Sequence, residues 1–234
     1  MATPSPSGLF AVAADQRKLA LACWGHGAPA VVLDAGSSDA GLARWRASVL
    51  VADLAATTTV CTYDRAGLGE SEAAPRRARV LDDVTSDLHK LLAAARIPRP
   101  VVMVGASGGG FDVYQHAGRY PADVAGLVML DVPAGQRSMS HSDGPPEWSD
   151  PANPEHVDYY AVEHQMAVAR LKIRAIPVTV VTAKAGQSAD PAEQRVWLAG
   201  SSRPVQVVID GGHDIAFDAP GRVLKEILAV VAAA

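Results

Sequence analysis

Residues 101–110 have the sequence VVMVGASGGG, which is the most informative segment of the chain. Its first four residues form a short, continuously apolar run, which is typical of a strand covered on both faces. Gly105, Ser107 and Gly109 then give the pattern G-x-S-x-G, and a helical pattern follows over 108–119. A serine on so sharp a turn has strained backbone angles that small neighbours permit, and the helix N-terminus favours developing negative charge. The pattern predicts that Ser107 is a nucleophile; a tight turn that merely needs small residues is the alternative.

Short apolar runs and longer amphipathic segments alternate on both sides of this stretch. Such alternation connects strands by right-handed crossovers, so it predicts the α/β class with a mostly parallel, doubly wound sheet. The predicted strands cover 19–23, 30–33, 58–63, 101–104, 126–130, 178–182 and 205–209. The predicted helices cover 42–55, 82–95, 108–119, 191–198 and 220–231.

One segment interrupts the alternation. Residues 133–156 are rich in Ser, Pro and acidic residues, and a helical stretch follows over 157–172. We interpret 133–176 as a short lid or cap over one edge of the sheet. A length of 234 residues allows one large domain or two small ones. Because the strands and helices occupy nearly everything else, we expect a single domain over 1–234.

Charge and composition exclude several classes of partner. The net charge is −4 and only 5% of residues are aromatic, which argues against a nucleic-acid partner and against an anionic membrane surface. No run approaches the roughly 18 uncharged apolar residues that a membrane-spanning helix needs. We therefore expect a small-molecule substrate, with no prediction of whether the protein is a monomer or a homodimer.

A serine needs a base to remove its proton, and the order of the chain selects one among seven histidines. His213 follows the last predicted strand and precedes the final helix, so it would lie at the same carboxyl edge of the sheet as Ser107. The order serine then histidine also suits the G-x-S-x-G turn. His89 and His116 fall within predicted helices, where we expect surface residues.

The third member should be a carboxylate that orients the imidazole, and two candidates exist. Asp131 directly follows the strand predicted at 126–130, at the correct edge and between Ser107 and His213 in chain order. Asp190 lies in the loop after the next strand, but it precedes Pro191 and a helix, where it also makes a good N-cap. The positions of a short loop there, 184–186, hold no acid. We favour Asp131 and keep Asp190 as the alternative.

An acyl-enzyme mechanism also needs two hydrogen-bond donors for the oxyanion. The residue after the nucleophile provides one through its backbone N–H, which assigns Gly108. The loop after the strand at 30–33, Gly36-Ser37-Ser38, should provide the other. We assign it to the backbone of Ser37, with Ser38 as the near alternative.

Together these residues resemble the α/β-hydrolase superfamily over nearly the whole chain. Tyr63-Asp64-Arg65-Ala66-Gly67-Leu68-Gly69-Glu70-Ser71 is similar to the family segment Y-D-x-x-G-x-G-x-S, and Gly212-His213 with Asp218-Ala219-Pro220 resembles its histidine loop. The resemblance implies a mostly parallel sheet of about eight strands. Some family branches carry the acid after the strand before the lid, which favours Asp131, although the commoner acid position is vacant here.

Cys23 and Cys61 are the two cysteines of the chain. From the residues alone they are either small buried hydrophobic groups or one disulfide, which requires neighbouring strands. The resemblance places their strands side by side, which implies a bridge across 38 residues, and relatives with this opening are often exported. We therefore expect a secreted protein in its mature form; a cytoplasmic one is the alternative.

The resemblance implies a serine hydrolase of the esterase or lipase type. It would cleave a carboxylic ester, lactone or thioester through an acyl-enzyme on Ser107, His213 and Asp131, without a metal or organic cofactor. Two alternatives remain open. One is a cofactor-free perhydrolase, carbon–carbon hydrolase or lyase on the same fold, and the other is a non-catalytic member that binds a ligand.

Overall fold

A single sheet of eight strands organises the part of the chain that the structure describes. The computed structural model describes residues 6–12, 16–134, 147–168, 173, 175–186 and 191–234. The sheet order is β1-β2-β4-β3-β5-β6-β7-β8. The strands are β1 (Ser7–Ala11), β2 (Lys18–Trp24), β3 (Val31–Asp34), β4 (Val60–Tyr63), β5 (Val101–Ala106), β6 (Val124–Leu130), β7 (Pro177–Ala185) and β8 (Arg203–Gly212).

The sheet is mostly parallel, as predicted. β2 pairs antiparallel with β1 and with β4, and every pairing from β4 through β8 is parallel. All seven predicted strands are present. The prediction missed β1, because four of its five residues are exposed and it lacks the apolar run of a central strand. A strand that lies at the edge and buries little cannot be recognised from apolar periodicity.

Helices cover both faces of this sheet. They are α1 (Gly41–Arg46), α2 (Val49–Ala55), α3 (Leu81–Ala94), α4 (Gly109–Arg119), α5 (Tyr159–Val168), α6 (Pro191–Gln194), α7 (Ile215–Asp218) and α8 (Pro220–Val231), with a 3-10 turn at Arg195–Leu198. The single helix predicted over 42–55 is wrong. Ser48 has an extended backbone there, and its side chain accepts the N–H of Leu50, so it ends one helix and caps the next.

β5 shows how the two faces form. Val101 and Met103 point into the core that α3 and α4 cover, where Leu88 is fully buried. Val102 and Val104 alternate to the opposite face, in the core that α2 and α8 cover. Burying one such side chain typically contributes about 1.5–3 kcal/mol, so a strand buried on both faces anchors the sheet. The doubly wound architecture is confirmed.

Cys23 of β2 lies directly opposite Cys61 of β4, and the two form a disulfide. The bridge therefore joins strands that are already hydrogen-bonded neighbours. Among the described residues, no helix is long and apolar enough to cross a membrane.

The predicted cap at 133–176 is described only in part, because 135–146, 169–172 and 174 lie outside the described residues. Its described portion includes α5 and a short parallel bridge between Val157 and Arg79. The start of the helix predicted over 157–172 is wrong, because Val157 forms the bridge and α5 begins at Tyr159; from there the helix is present as far as 168. The boundaries of the cap stay a prediction.

Candidate active site

Ser107 lies on the turn between β5 and α4 in a left-handed backbone conformation, with φ of 51°. This conformation is costly for a residue with a side chain, so the surrounding structure must hold it. A Cβ added at Gly105 would lie 2.5 Å from the carbonyl oxygen of Gly109, and one added at Gly109 would lie 2.3 Å from that of Ala35. The glycines of the G-x-S-x-G pattern are therefore required by close backbone approach.

His213 comes from the loop between β8 and α7, and its imidazole reaches Ser107. Its Nε2 lies 2.9 Å from the Oγ of Ser107, although 106 residues separate the two in the chain. On the other side of the ring, Nδ1 lies 2.7 Å from Oδ2 of Asp131. The three predicted residues thus form one continuous line of hydrogen bonds, with the geometry expected of a nucleophile, a base and an orienting acid.

Asp131 directly follows β6 and is fully buried, with a left-handed φ of 46°. Its backbone N–H donates to the carbonyl of Val181 at 2.8 Å. Its Oδ1 accepts the N–H of Ala183 at 3.1 Å and the amide of Gln194 at 3.2 Å, which leaves Oδ2 to face His213. Several bonds thus fix the carboxylate in one orientation.

The loop after β7, where the family more often carries its acid, packs against Asp131. A Cβ added at Gly186 would lie 2.3 Å from the Oδ2 of Asp131, so this loop makes room for the carboxylate. Asp190, the alternative acid, lies outside the described residues.

The pKa values of His213 and Asp131 are shifted in the directions that suit a base and its carboxylate partner. The hydrogen bond that His213 donates to Asp131 raises the pKa of His213 above its ordinary value, against the opposing effect of burial. Burial alone would raise the pKa of Asp131, but the hydrogen bonds from His213, Ala183 and Gln194 outweigh it and lower that pKa. The carboxylate therefore stays ionised beside an imidazole that can accept a proton.

We call residues 35–38, which follow β3, the oxyanion loop. A Cβ added at Gly108 would lie 2.0 Å from the Oγ of Ser37 and 3.2 Å from its backbone nitrogen, so the two backbones are in close contact. Within the described ranges, the N–H groups of Ser37 and Gly108 make no hydrogen bond. Ser38 differs, because its N–H donates to Oε2 of Glu155 at 3.0 Å. The geometry favours Ser37 over Ser38 as the partner of Gly108.

A cavity of about 330 Å³ opens over Ser107 and His213. Its lining includes the apolar side chains of Trp45, Leu130 and Phe217 and also Arg44. The Arg44 guanidinium lies 4.8 Å from the centre of the Phe217 ring and pairs with Asp39 and with Asp214. The site can thus accept a small molecule beside the Ser107 hydroxyl.

Sequence reasoning missed three buried residues of the site. Gln194 holds Asp131, Arg65 binds the oxyanion loop, and Glu155 binds both Arg65 and Ser38. Arg65 stands inside the segment that is similar to Y-D-x-x-G-x-G-x-S, which was the one available signal. Glu155 and Gln194 carry none, because their partners are distant in sequence.

The expectation of surface positions for His89 and His116 is wrong for His116, which is fully buried. Nδ1 of His89 lies 2.7 Å from Asp123, and Nε2 of His116 lies 3.5 Å from the same carboxylate. The three offer donor atoms within 4.8 Å of one another, of the types that bind zinc. Arg99 already pairs with Asp123, however, at 3.0 Å. This group lies at the amino end of β6, away from Ser107.

Comparison with known proteins supports a hydrolase. The family model described as serine aminopeptidase, S33, matches residues 43–142, which include Ser107 and Asp131. A probable transporter, efuK, of Hormonema carpetanum is 31% identical over 109 residues. That match covers 45% of this chain but only 15% of the relative, so the chain corresponds to a small part of that protein.

Solved structures match almost the whole chain. An enol-lactonase from Burkholderia xenovorans LB400 superposes with a TM-score of 0.74 at 20% identity, covering 96% of this chain and 100% of that one. A thermophilic esterase from Thermogutta terrifontis gives a TM-score of 0.72 at 21% identity, covering 95% and 97%. At these identities the likeness establishes the fold.

Proposed function

We propose that this chain, an α/β-hydrolase by its fold, is a serine hydrolase that cleaves a carboxylic ester, lactone or thioester through an acyl-enzyme. The observation that carries the proposal is the line of contacts from Ser107 Oγ to His213 Nε2 at 2.9 Å, and from His213 Nδ1 to Asp131 at 2.7 Å. A nucleophile, a base and an orienting acid within hydrogen-bond reach are what acyl transfer requires.

In the first step the Oγ of Ser107 attacks the carbonyl carbon while Nε2 of His213 takes the hydroxyl proton. The carbonyl oxygen becomes an oxyanion, which the N–H groups of Ser37 and Gly108 stabilise. The tetrahedral intermediate then expels the alcohol or thiol, which takes the proton back from His213. Water repeats the sequence on the acyl-enzyme, releases the acid and restores Ser107. Asp131 stabilises the protonated imidazole throughout.

The size and lining of the cavity suggest small substrates. A volume of about 330 Å³ lies near the lower end of the range for small-molecule sites. Two proteins that share the fold are an enol-lactonase and an esterase, which agrees with an ester or lactone carbonyl. We therefore expect short acyl esters to be better substrates than long ones. These steps call for no metal or organic cofactor.

The test is a panel of p-nitrophenyl esters from acetate to decanoate, run on the native protein and on Ser107→Ala. We expect turnover of the short esters, covalent labelling of Ser107 by a fluorophosphonate probe, and a loss of turnover of at least about 10³-fold in the variant. Ser201→Ala, a serine that binds the β7–β8 region at the other end of the sheet, is the matched control.

Other outcomes would contradict the proposal. Turnover of aminoacyl p-nitroanilides with no ester turnover would indicate a peptidase, in line with the name of the matching family model. Activity that requires peroxide would indicate a perhydrolase. Activity only on a carbon–carbon bond would indicate a carbon–carbon hydrolase or a lyase. Neither turnover nor labelling of Ser107 would indicate a protein that binds a ligand.

We also propose that the protein is secreted, because Cys23 and Cys61 form a disulfide and such bonds persist in oxidising compartments. By the chain-entropy model, a bridge across 38 residues contributes about 4 kcal/mol. Thiol counting on the denatured, unreduced protein should find no free thiol; two free thiols would contradict the proposal.

A further inference from the structure

We infer that Arg65 is a positioning residue for the oxyanion hole: it holds the oxyanion loop so that the N–H of Ser37 faces the substrate, and Glu155 from the predicted cap holds Arg65 in turn. The inference rests on the proposed function, since it concerns how the same site stabilises its transition state. It adds two residues that do not touch the reacting atoms.

The Arg65 guanidinium is almost completely buried, with 5% of its side chain exposed. Its Nη1 donates to Asp34 at 2.7 Å and to the carbonyl of Ala35 at 2.8 Å. Its Nη2 donates to the carbonyl of Gly36 at 2.6 Å and to Oε2 of Glu155 at 3.4 Å, and Nε donates to Oε1 of Glu155 at 2.7 Å. An arginine has five N–H donors, and here each has an acceptor.

The peptide between Gly36 and Ser37 links Arg65 to the oxyanion. A trans peptide is planar, so its carbonyl and its N–H point in opposite directions. Arg65 binds the carbonyl of Gly36 at 2.6 Å, which turns the N–H of Ser37 away from the guanidinium and towards the side that borders the cavity. The N–H of Asp39 also binds this carbonyl, at 3.2 Å, so losing Arg65 leaves the peptide with the longer of its two bonds. If the peptide then rotates, the donor is lost without any change to Ser37 itself.

Glu155 fixes the next peptide of the loop. Its Oε2 accepts the N–H of Ser38 at 3.0 Å and the hydroxyl of Tyr159 at 3.0 Å, while both oxygens face Arg65. Glu155 lies 90 residues from Arg65 in the chain, within the predicted cap. The carboxylate therefore connects the cap segment to the oxyanion loop through one buried ion pair.

The charges around this pair keep it ionised. Burial opposes ionisation of Glu155, but the charge and hydrogen bonds of Arg65 outweigh it and lower the pKa of Glu155. Asp112, also buried and 3.7 Å from Arg65, has its pKa raised by burial and by the nearby charge of Asp34. A buried guanidinium with fixed partners is costly to move, so it suits the role of a rigid support.

The test compares Arg65→Met, Arg65→Lys and Glu155→Gln for hydrolysis of the best ester of the panel. Losing one oxyanion-hole donor typically costs about 10²–10³ in kcat, so we expect a loss of this size in Arg65→Met, with KM within about threefold. Lysine has three donors on one nitrogen, two fewer than the five contacts that Arg65 makes through three nitrogens. We therefore expect an intermediate loss in Arg65→Lys and a smaller one in Glu155→Gln.

A second readout separates positioning from general damage. A trifluoromethyl ketone forms a tetrahedral oxyanion on Ser107, so its inhibition constant should rise in proportion to the fall in kcat/KM. Titration with the fluorophosphonate counts the sites that remain folded and reactive. Arg17→Met is the matched control, because Arg17 is also largely buried and pairs with Asp87 of α3 at 2.9 Å. It should reproduce any loss of stability without raising the inhibition constant.

Two results would overturn the inference. One is a kcat per titrated site within about twofold of the native value in Arg65→Lys and Glu155→Gln, which also decides the matter if Arg65→Met does not fold. The other is a loss of kcat with no change in the inhibition constant of the ketone. In both cases a loss of turnover in Ser107→Ala would still support the proposed hydrolase. Full turnover in Ser107→Ala would instead refute the proposed function.

Discussion

A histidine–aspartate pair lies at each end of the strand β6, and of these two pairs only the one with His213 borders the cavity that Ser107 lines. Asp131 follows the strand and binds His213 at 2.7 Å; Asp123 precedes it and binds His89 at the same distance. The two histidine side chains have similar exposure, 27% and 32%. The aspartates lie roughly 25 Å apart along the extended strand.

The surroundings distinguish the pairs. The second nitrogen of His213 faces Ser107 and a cavity, whereas the ring of His89 stacks on Tyr120 with the ring centres 4.0 Å apart. Asp123 also binds the guanidinium of Arg99, which neutralises its charge. A histidine–aspartate pair is therefore not a site by itself; in the proposed function, the Ser107 hydroxyl, the backbone donors and the cavity give the His213–Asp131 pair its reactive role.

Removing each carboxylate in turn tests most directly whether the two pairs differ in their effect on kcat. Asp131→Asn should lower kcat by about 10³–10⁴, because an amide at this position favours the wrong tautomer of His213. Asp123→Asn alters the matched pair at the other end and should leave kcat of the folded enzyme unchanged. Steady-state kinetics on the p-nitrophenyl ester measures both.

The same pair of variants also tests the assignment of the acid. Equal losses in both variants would mean that the kinetic effect reports general instability. Full activity in Asp131→Asn, together with a large loss in Asp190→Asn, would transfer the role to Asp190.

A site residue can be predicted from the sequence when the pattern that identifies it lies close to it in the chain. Ser107 carries its signal locally, in the glycines that its turn requires. His213 and Asp131 are predicted by their places at strand ends, because the carboxyl ends of parallel strands meet at one edge of the sheet. The structure brings these three together, and their catalytic roles remain proposals.

The supporting residues show where sequence reasoning fails. Glu155 meets Arg65 across 90 residues, and Gln194 meets Asp131 across 63, so neither has a local pattern. The burial of His116 depends on how α3 and α4 pack, which helix periodicity alone did not predict. Two elements were missed for a related reason. β1 depends on its pairing with β2, and the break at Ser48 depends on a side-chain cap; an apolar pattern shows neither.

The pH dependence of catalysis tests whether His213, and not the histidine at the other end of β6, is the base. His213 must be neutral to accept the proton of Ser107, and its bond to Asp131 raises its pKa above the ordinary value of 6.5. We therefore expect kcat/KM to fall as the pH drops through a midpoint above 6.5. Asp131→Asn should move the midpoint of the residual activity to lower pH, since the stabilising charge is gone.

Asp123→Asn again provides the control, because its carboxylate lies at the far end of β6. Profiles of kcat/KM from pH 5 to 9 on the native protein and both variants give the midpoints. A midpoint that shifts in Asp123→Asn but not in Asp131→Asn would contradict the assignment of His213 as the base.

The smallest expected effect concerns stability, and it has opposite signs at the two ends. At the far end, burial lowers the pKa of His116, against the nearby charge of Asp123 and in line with the charges of His89 and Arg99. The unfolded chain then binds a proton more readily, so stability is lost as the pH falls below 6.5. At the active site the pKa of His213 is raised, so its contribution is complete below 6.5 and is lost as the pH rises through the folded pKa.

Urea unfolding of His116→Gln and His213→Gln between pH 5 and 8 measures both contributions. One titrating group changes the slope of the free energy of unfolding by at most about 1.4 kcal/mol per pH unit. His116→Gln should flatten the loss of stability on the acid side, and His213→Gln the loss on the alkaline side. The opposite pH responses follow from the opposite pKa shifts of the two histidines. The same pH response in both variants would therefore contradict the burial and the partners described for them.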